Sequence, residues 1–222
     1  MDIFPLSRYE LRFPDPRFAS DEGIVAYGGD LSPNRIMYGY SQGIFPWFNE
    51  NDPILWWSPN PRFILELDEF KISKSLAKTL KKDIYEVKFN TNFKEVISHC
   101  AKIKREDQNG TWITNDMIEA YCELHALGHA HSFESYYQGK LVGGGYGIGI
   151  GDIFCGESMF TLKNNASKVA LVKLVEHLKK QGFWLLDSQI YTEHLKRFGA
   201  KEISRDRYLE YVKKALFNPK EF

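Results

Sequence analysis

The stretch from Leu141 to Gln189, LVGGGYGIGIGDIFCGESMFTLKNNASKVALVKLVEHLKKQGFWLLDSQ, leaves few folds open to this chain. It reads as strand, tight turn, strand, long helix and strand. Gly151-Asp152 forms the turn, and the preceding HSFESYY run adds one more strand, joined through Gln138-Gly139-Lys140. Adjacent strands joined by connections this short must be antiparallel. The helix is expected to begin near Asn165 or Ala166 and to stop at Gly182, which tolerates the positive φ of a helix C′ position. The strand Phe183–Leu186 then delivers Asp187, Ser188 and Gln189. Because strand side chains alternate, Asp187 and Gln189 are expected on one face, both beyond the apolar segment. Glu157 is expected just past the apolar core of the second strand. An acid and an amide paired at a strand end suggest a site without naming it.

Composition narrows the setting. At 222 residues the chain can bury a substantial core, as one large domain or two small ones. Apolar residues make up 43% and charged residues 26%, the balance of an ordinary soluble protein. Lys plus Arg and Asp plus Glu are both 29, so net charge alone argues for no anionic partner, and a nucleic-acid site must come from local clustering. Cys100, Cys122 and Cys155 form neither a CxxC motif nor an even framework, which fits a reducing compartment. The chain shows no basic-then-apolar leader and no apolar run near ~18 residues, so a cytoplasmic protein is expected, with no membrane partner.

Residues 1–63 are rich in turns and aromatic rings and are expected to form a small N-terminal domain, with residues 64–222 forming a second. Phe13-Pro14-Asp15-Pro16 cannot be a central strand, because proline has no N–H for a ladder. Ser32-Pro33 starts a helix and Gly43 closes it. The following GIFPWFNENDPILWWSPNPRF holds Trp47, Trp56 and Trp57, three of the five tryptophans. These rings either pack a small aromatic core or wall an apolar ligand site.

From Asp68 to Lys82, Ile72, Leu76 and Leu80 recur every four residues and predict one buried helix face. Lys71, Lys74, Lys78, Lys81 and Lys82 put five lysines into twelve residues. A lysine-rich face is usually only solvated, but this is the strongest basic patch in the chain and the place to expect phosphate contacts. Ser98–Asn109, with Lys102, Lys104, Arg105, Glu106 and Asp107, reads as a helix end and loop. Thr114 caps the next helix, whose apolar face carries Met117, Tyr121 and Leu124 and which ends at Gly128. His125, His129 and His131 lack the further Cys or carboxylate that a zinc site needs, so no metal is expected. Past Gln189, a short helix covers Thr192–Phe198, Ala200–Ile203 is a last strand, and Ser204 caps a final helix to about Leu216.

The order β-β-β-α-β-α-β-α gives an antiparallel meander followed by crossovers, hence an α+β (mixed α/β) chain with a mixed, mostly antiparallel sheet. It resembles the GCN5-related acyltransferase fold. Those enzymes hold coenzyme A phosphates on a Q/R-x-x-G-x-G/A loop at the start of the long helix. Here the corresponding Leu162-Lys163-Asn164-Asn165-Ala166-Ser167 contains no glycine. The glycine-rich GGGYGIGIG lies within a strand and marks a bulge or a close backbone approach.

Several ordered segments point to a narrower family: GGDLSP (28–33), GIFPWF (43–48), ILWWSPNPR (54–62), TWIT (111–114), GHAHS (128–132), GESMF (156–160), NASKVAL (165–171), and the D-x-Q of Asp187 and Gln189. Through them the chain closely resembles the leucyl/phenylalanyl-tRNA–protein transferases over nearly its whole length. The resemblance implies transfer of Leu or Phe, and Met weakly, from Leu-tRNA or Phe-tRNA to proteins beginning with Arg or Lys, marking them for degradation. The chain departs from its relatives at Ser188, where they commonly carry Cys, at Gly145, where they carry a bulkier residue, and in a short segment after the last helix. An aminoacyl ester is already activated, so no cofactor is expected. The attacking α-amine, of pKa ≈ 7.7–8.0, is partly neutral near pH 7 and needs orientation and proton removal rather than a strong base.

The resemblance implies a relay in which Asp187 holds the Gln189 amide while its carbonyl accepts from the amine. Glu157, the third catalytic candidate, holds either the donor amine or the acceptor side chain. Trp47, Trp112, Phe154, Met159, Leu171, Leu186 and Ser188 are the candidate aminoacyl pocket. Lys74, Lys78, Lys81 and Lys82 are the candidate tRNA contacts. A monomer is expected. The alternatives are an acyl-CoA-dependent N-acetyltransferase and a non-enzymatic binder of basic protein N-termini.

Overall fold

The computed structural model describes residues 3–103 and 111–222. Of the polar segment Ser98–Asn109, the helix end is present, while Lys104, Arg105, Glu106 and Asp107 lie outside the described residues. A small sheet comes first. It comprises β1 (Phe4–Leu6), β2 (Ile24–Gly28), β3 (Phe45–Pro46) and β4 (Leu55–Trp57), in the order β1-β2-β4-β3, with helix α1 (Pro33–Ser41) between β2 and β3. Phe13–Pro16 contributes no strand, as its prolines require. Pro33 supplies the preset φ that starts α1, and Gly43, at φ +74°, turns the chain out of it.

The larger unit contains β5 (Arg62–Glu66), α2 (Lys74–Leu80), β6 (Glu86–Phe89), α3 (Phe93–Lys102), α4 (Asn115–Ala126), β7 (Ala130–Tyr137), β8 (Lys140–Ile150), β9 (Ile153–Thr161), α5 (Ala166–Lys180), β10 (Leu185–Asp187), α6 (Glu193–Lys196), β11 (Lys201–Ile203) and α7 (Arg205–Ala215). Its seven strands lie in the order β11-β5-β10-β9-β8-β7-β6. The three strands β7, β8 and β9 are antiparallel, as their short turns demand. The crossover through α5 sets β10 parallel to β9 and antiparallel to β5, so the sheet is mixed. Thr114, Thr192 and Ser204 each cap the helix that follows by accepting from a backbone N–H three residues on.

The glycine tract of β8 is where the backbones come close. Gly143, Gly145, Gly147 and Gly149 share one face of the strand. A Cβ on Gly143 would lie 2.7 Å from the Ala166 Cβ, so the start of α5 rests directly on the strand. A Cβ on Gly145 or on Gly147 would lie 2.6 Å from the ring of Phe133 or Phe154 respectively. Aromatic rings therefore lie across bare backbone. On this face Phe133, Phe154 and Leu186 pack with Leu171, Leu174 and Leu178 of α5. On the other face Tyr146, Ile148, Ile153 and Cys155 pack with α3, α4 and the core of the small sheet, centred on Ile36, Tyr40 and Trp56.

The predicted helix over Asp68–Lys82 is shorter than its periodicity implied. The chain forms a 3-10 turn at Leu67–Glu69, and α2 begins only after Ser73, whose hydroxyl accepts from Leu76 N–H. Ile72 lies ahead of that cap and is 43% exposed, so only Leu76 and Leu80 turn towards the core.

Candidate active site

β10 pairs with β9 only over Ile153–Cys155, whereas β9 continues to Thr161. Past Cys155 the two strands part, and a cavity of about 450 Å³ opens in the gap. That volume is in the range of small-molecule sites. Six consecutive residues of β9, from Gly156 to Thr161, line it, because the cavity runs along the edge of the strand rather than over one face. Ser167, Leu171 and Leu174 of α5 form a second wall, Leu186, Ser188, Gln189 and Ile190 a third, and Trp47 and Trp112 stand at the side facing the small sheet and α4.

Glu157 owes its position to a β-bulge. Tyr146 lies opposite Ser158 and Gly147 opposite Gly156, which leaves Glu157 as an extra residue in β9. It thus lies within the second strand rather than beyond its apolar core, a correction to the sequence expectation. The inserted residue also shifts the alternation, so that Phe154 and Met159, five positions apart, both lie over the glycine face of β8. The Tyr40 hydroxyl donates to Glu157 Oε1 at 2.6 Å and the Tyr121 hydroxyl to Oε2 at 3.3 Å, with 2.8 Å between the two hydroxyls. Burial pushes the Glu157 carboxyl up to about 7, and the Asp187 charge adds to this. Hydrogen bonds from Tyr40 and Tyr121 and the Arg62 charge offset part of the rise.

Asp187 and Gln189 do not share a strand face. β10 ends at Asp187, and Gln189 adopts φ +61°, a left-handed conformation that breaks the alternation. Asp187 is 0% exposed and does not line the cavity. Its carboxylate accepts from Arg62 Nε (2.8 Å) and Nη2 (2.7 Å), from the Tyr208 hydroxyl (2.9 Å) and from the Gln189 backbone N–H (3.0 Å). The Gln189 side chain instead turns into the cavity, where its Nε2 donates to Glu157 Oε1 at 3.4 Å. The expected contact between Asp187 and the Gln189 amide is therefore replaced by two others: Asp187 holds the Gln189 backbone, and Glu157 holds its amide. Arg62 is itself 1% exposed, stacked over the rings of Tyr208 (4.2 Å) and Phe45 (4.9 Å). Burial works to deprotonate the guanidinium, but the Asp187 charge and hydrogen bonds, together with Tyr208, outweigh it and the pKa rises.

All seven candidate pocket residues, Trp47, Trp112, Phe154, Met159, Leu171, Leu186 and Ser188, line the cavity, as do Glu157 and Gln189. The three clustered tryptophans divide between the two roles open to them. Trp56 is fully buried in the core, Trp47 faces the cavity, and Trp57 braces Trp47 by a tilted ring contact at 5.2 Å and by donating Nε1–H to its carbonyl at 2.6 Å. Lys74, Lys78, Lys81 and Lys82 stay exposed on and just after α2, which packs against α5; none lines the cavity and none forms an ion pair among the described residues. His125 and His131 stack on Phe93 and Phe222, and burial lowers His131 to about 4. Among the described residues no three His, Cys, Asp or Glu side chains are grouped as metal ligands would be. No helix among them is long and apolar enough to cross a membrane.

Sequence reasoning missed Tyr40, Arg62, Phe133 and Tyr208, and read Tyr121 only as part of an apolar helix face. Phe133 had a faint signal: the run Ser132–Ser135 is buried on both faces, so polar residues occupy positions where alternation would expose them. For the others no local pattern exists, because each acts through a partner far away in the chain.

The chain matches two family models, "Leucyl/phenylalanyl-tRNA protein transferase" over residues 64–213 and the "Leucyl/phenylalanyl-tRNA protein transferase N-terminal domain" over residues 29–60. Curated relatives called leucyl/phenylalanyl-tRNA–protein transferase are similar along almost their whole length. That of Sulfurimonas denitrificans is 55% identical over 213 residues, covering 96% of this chain and 92% of that protein. That of Flavobacterium johnsoniae is 54% identical over 204 residues, with 92% and 96% covered. That of Myxococcus xanthus is 49% identical over 220 residues, with 99% and 94% covered.

Proposed function

The chain belongs to the leucyl/phenylalanyl-tRNA–protein transferase family, and from that premise we propose that it moves Leu or Phe, and Met weakly, from aminoacyl-tRNA to the α-amino group of proteins beginning with Arg or Lys. The modified proteins are thereby marked for degradation through their new N-terminus. The observation that carries this reading is the meeting of Glu157 and Gln189 at a mostly apolar cavity. The cavity suits a leucyl or phenylalanyl side chain, offering ring and aliphatic contact from Phe154, Met159, Leu171 and Leu186. Apolar walls discriminate by only ~1–3 kcal/mol per methylene, which accords with acceptance of both side chains.

In this mechanism Gln189, anchored through Nε2 on Glu157, presents Oε1 to the incoming amine and fixes its approach. The amine nitrogen attacks the ester carbonyl carbon, and Glu157 takes the proton that the nitrogen sheds. A carboxyl poised at about 7 is matched to that task near neutral pH. As the C–O ester bond breaks, the proton passes to the leaving ribose oxygen, and an amide and a free tRNA hydroxyl result. Asp187 acts behind the site, holding the Gln189 backbone in its left-handed turn. Lys74, Lys78, Lys81 and Lys82 contact tRNA phosphates without reading base sequence. Residues 1–63 and 64–222 serve as two units of one site, since Tyr40 and Trp47 come from the first and Glu157 and Gln189 from the second. One copy of the chain supplies all of these groups, which supports action as a monomer.

The test is incubation of the protein with labelled Leu-tRNA and a peptide beginning with Arg. Labelled peptide is expected, with Gln189→Ala lowering the transfer rate by about 100-fold or more. Near-wild-type transfer by that variant would remove Gln189 from the mechanism. Peptide binding without transfer would favour a non-enzymatic binder, and acetylation supported by acetyl-CoA an N-acetyltransferase.

A further inference from the structure

Phe222 sits on the glycine face of the large sheet, behind the wall of the cavity. Its ring stacks on His131 at 4.2 Å, packs against His177 of α5 at 4.8 Å, and lies 5.5 Å from the ring of Phe154. Phe154 lines the cavity, whereas Phe222 does not. The ring is delivered there by two links to the β8–β9 turn. Asn218 Nδ2 donates to Asp152 Oδ2 at 2.9 Å, and Lys220 N–H donates to the Gly151 carbonyl at 3.2 Å. Asp152 is itself buried and takes a further hydrogen bond from Trp184 Nε1 at 2.7 Å, so the anchor is rigid. The missing side chains at Gly147 and Gly149 provide the space: the Phe154 ring covers the first, and His131 and Phe183 flank the second.

We propose that Phe222 sets the depth of the aminoacyl pocket from behind, by bracing Phe154, and so helps decide between leucyl and phenylalanyl donors. This rests on the transfer reaction proposed above. Packed interiors do not tolerate a void, and a ring whose support is deleted settles towards the space left. Without Phe222, the Phe154 ring moves away from the cavity and the wall recedes. The longer phenylalanyl side chain then gains room, and the shorter leucyl side chain no longer reaches the wall. Phe222 acts through Phe154 and is a positioning residue for specificity.

The experiment measures kcat/KM for Phe-tRNA and for Leu-tRNA with one Arg-initiated peptide, in the unaltered protein and in Phe222→Ala and Asn218→Ala. Asn218→Ala releases the anchor while leaving both rings intact. The expected result is a rise of at least about threefold in the ratio of Phe to Leu for Phe222→Ala, with a smaller rise in the same direction for Asn218→Ala. A merely structural role would lower both rates together and leave the ratio unchanged, and that outcome in both variants overturns the inference. Absence of transfer by the unaltered protein would instead overturn the underlying reaction, and this inference with it.

Discussion

Asp187 accepts four hydrogen bonds at once, which uses the lone-pair capacity of a carboxylate and leaves nothing for a substrate. Its value lies in what it holds. Arg62 and Asp187 are 1% and 0% exposed, so deleting either leaves a buried charge alone. Arg62→Ala is expected to cost about 3–5 kcal/mol in urea unfolding, and a paired Arg62→Met, Asp187→Leu replacement distinctly less. Glu157 behaves in the opposite way, since it is held up at about 7 and is exposed enough to meet a ligand. If it takes the amine proton, transfer should climb as pH rises through about 7, and Glu157→Gln should lose that limb and keep only the later rise of the amine itself at ~7.7–8.0. Tyr40→Phe removes a hydrogen bond that favours the carboxylate, so the limb should move to higher pH. The sign for stability is the reverse of that for activity. A carboxyl whose folded pKa lies above its unfolded value of about 4.3 contributes stability below that value and loses it as pH rises to about 7. Glu157→Gln should therefore stabilise the fold at pH 8 by about 1 kcal/mol and by less at pH 5, as read by urea midpoints.

Among the elements, β8 and β9 decide the site between them. A strand with glycine at positions 143, 145, 147 and 149 of one face is a poor strand by itself, because glycine contributes no side-chain packing. Here that deficit lets α5 rest on the backbone and lets aromatic rings cross it. Gly143→Ala should accordingly destabilise the fold by about 1–3 kcal/mol, since the new methyl meets Ala166 Cβ at 2.7 Å and the Ser167 nitrogen at 2.8 Å. A thermal melt unchanged from the parent protein would show that α5 can move away. The bulge at Glu157 is the matching feature of β9. It places the carboxylate towards the gap that opens where β10 leaves β9, and it brings Phe154 and Met159 onto one face. These elements were legible in outline: turn lengths gave the antiparallel meander, and Gly182, Thr114 and Ser204 marked helix ends correctly. The bulge was not, because an extra residue in a strand is defined only by the register of its partner. The predicted helix over 68–82 was too long because the spacing of Ile72, Leu76 and Leu80 outweighed the capping serine at 73.

At the scale of the molecule, the formal charge is zero and the lysines after Ser73 form a local patch without counter-ions among the described residues. Removing the charges of Lys74, Lys78, Lys81 and Lys82 together should weaken aminoacyl-tRNA binding and flatten its salt dependence by about one unit of slope for each phosphate that is no longer neutralised. Affinity unchanged at both low and high salt would remove the patch from the interface. The site itself joins α1 to the large sheet through Tyr40 and Glu157, across 117 positions, and ties two strands of that sheet through Arg62 and Asp187, across 125. The sequence by itself determined the strand order of the meander, the crossover helix, the family and the apolar residues around the cavity. Those follow from short-range steric rules, from periodicity and from motifs that can be read in one dimension. Only the tertiary structure decided that Asp187 is buried against Arg62 and Tyr208 and accepts from the Gln189 backbone, that Gln189 turns left-handed into the cavity, and that Glu157 is its side-chain partner. Each of these depends on where two strands separate and on which distant side chain satisfies a buried charge, and neither is written in the order of neighbouring residues.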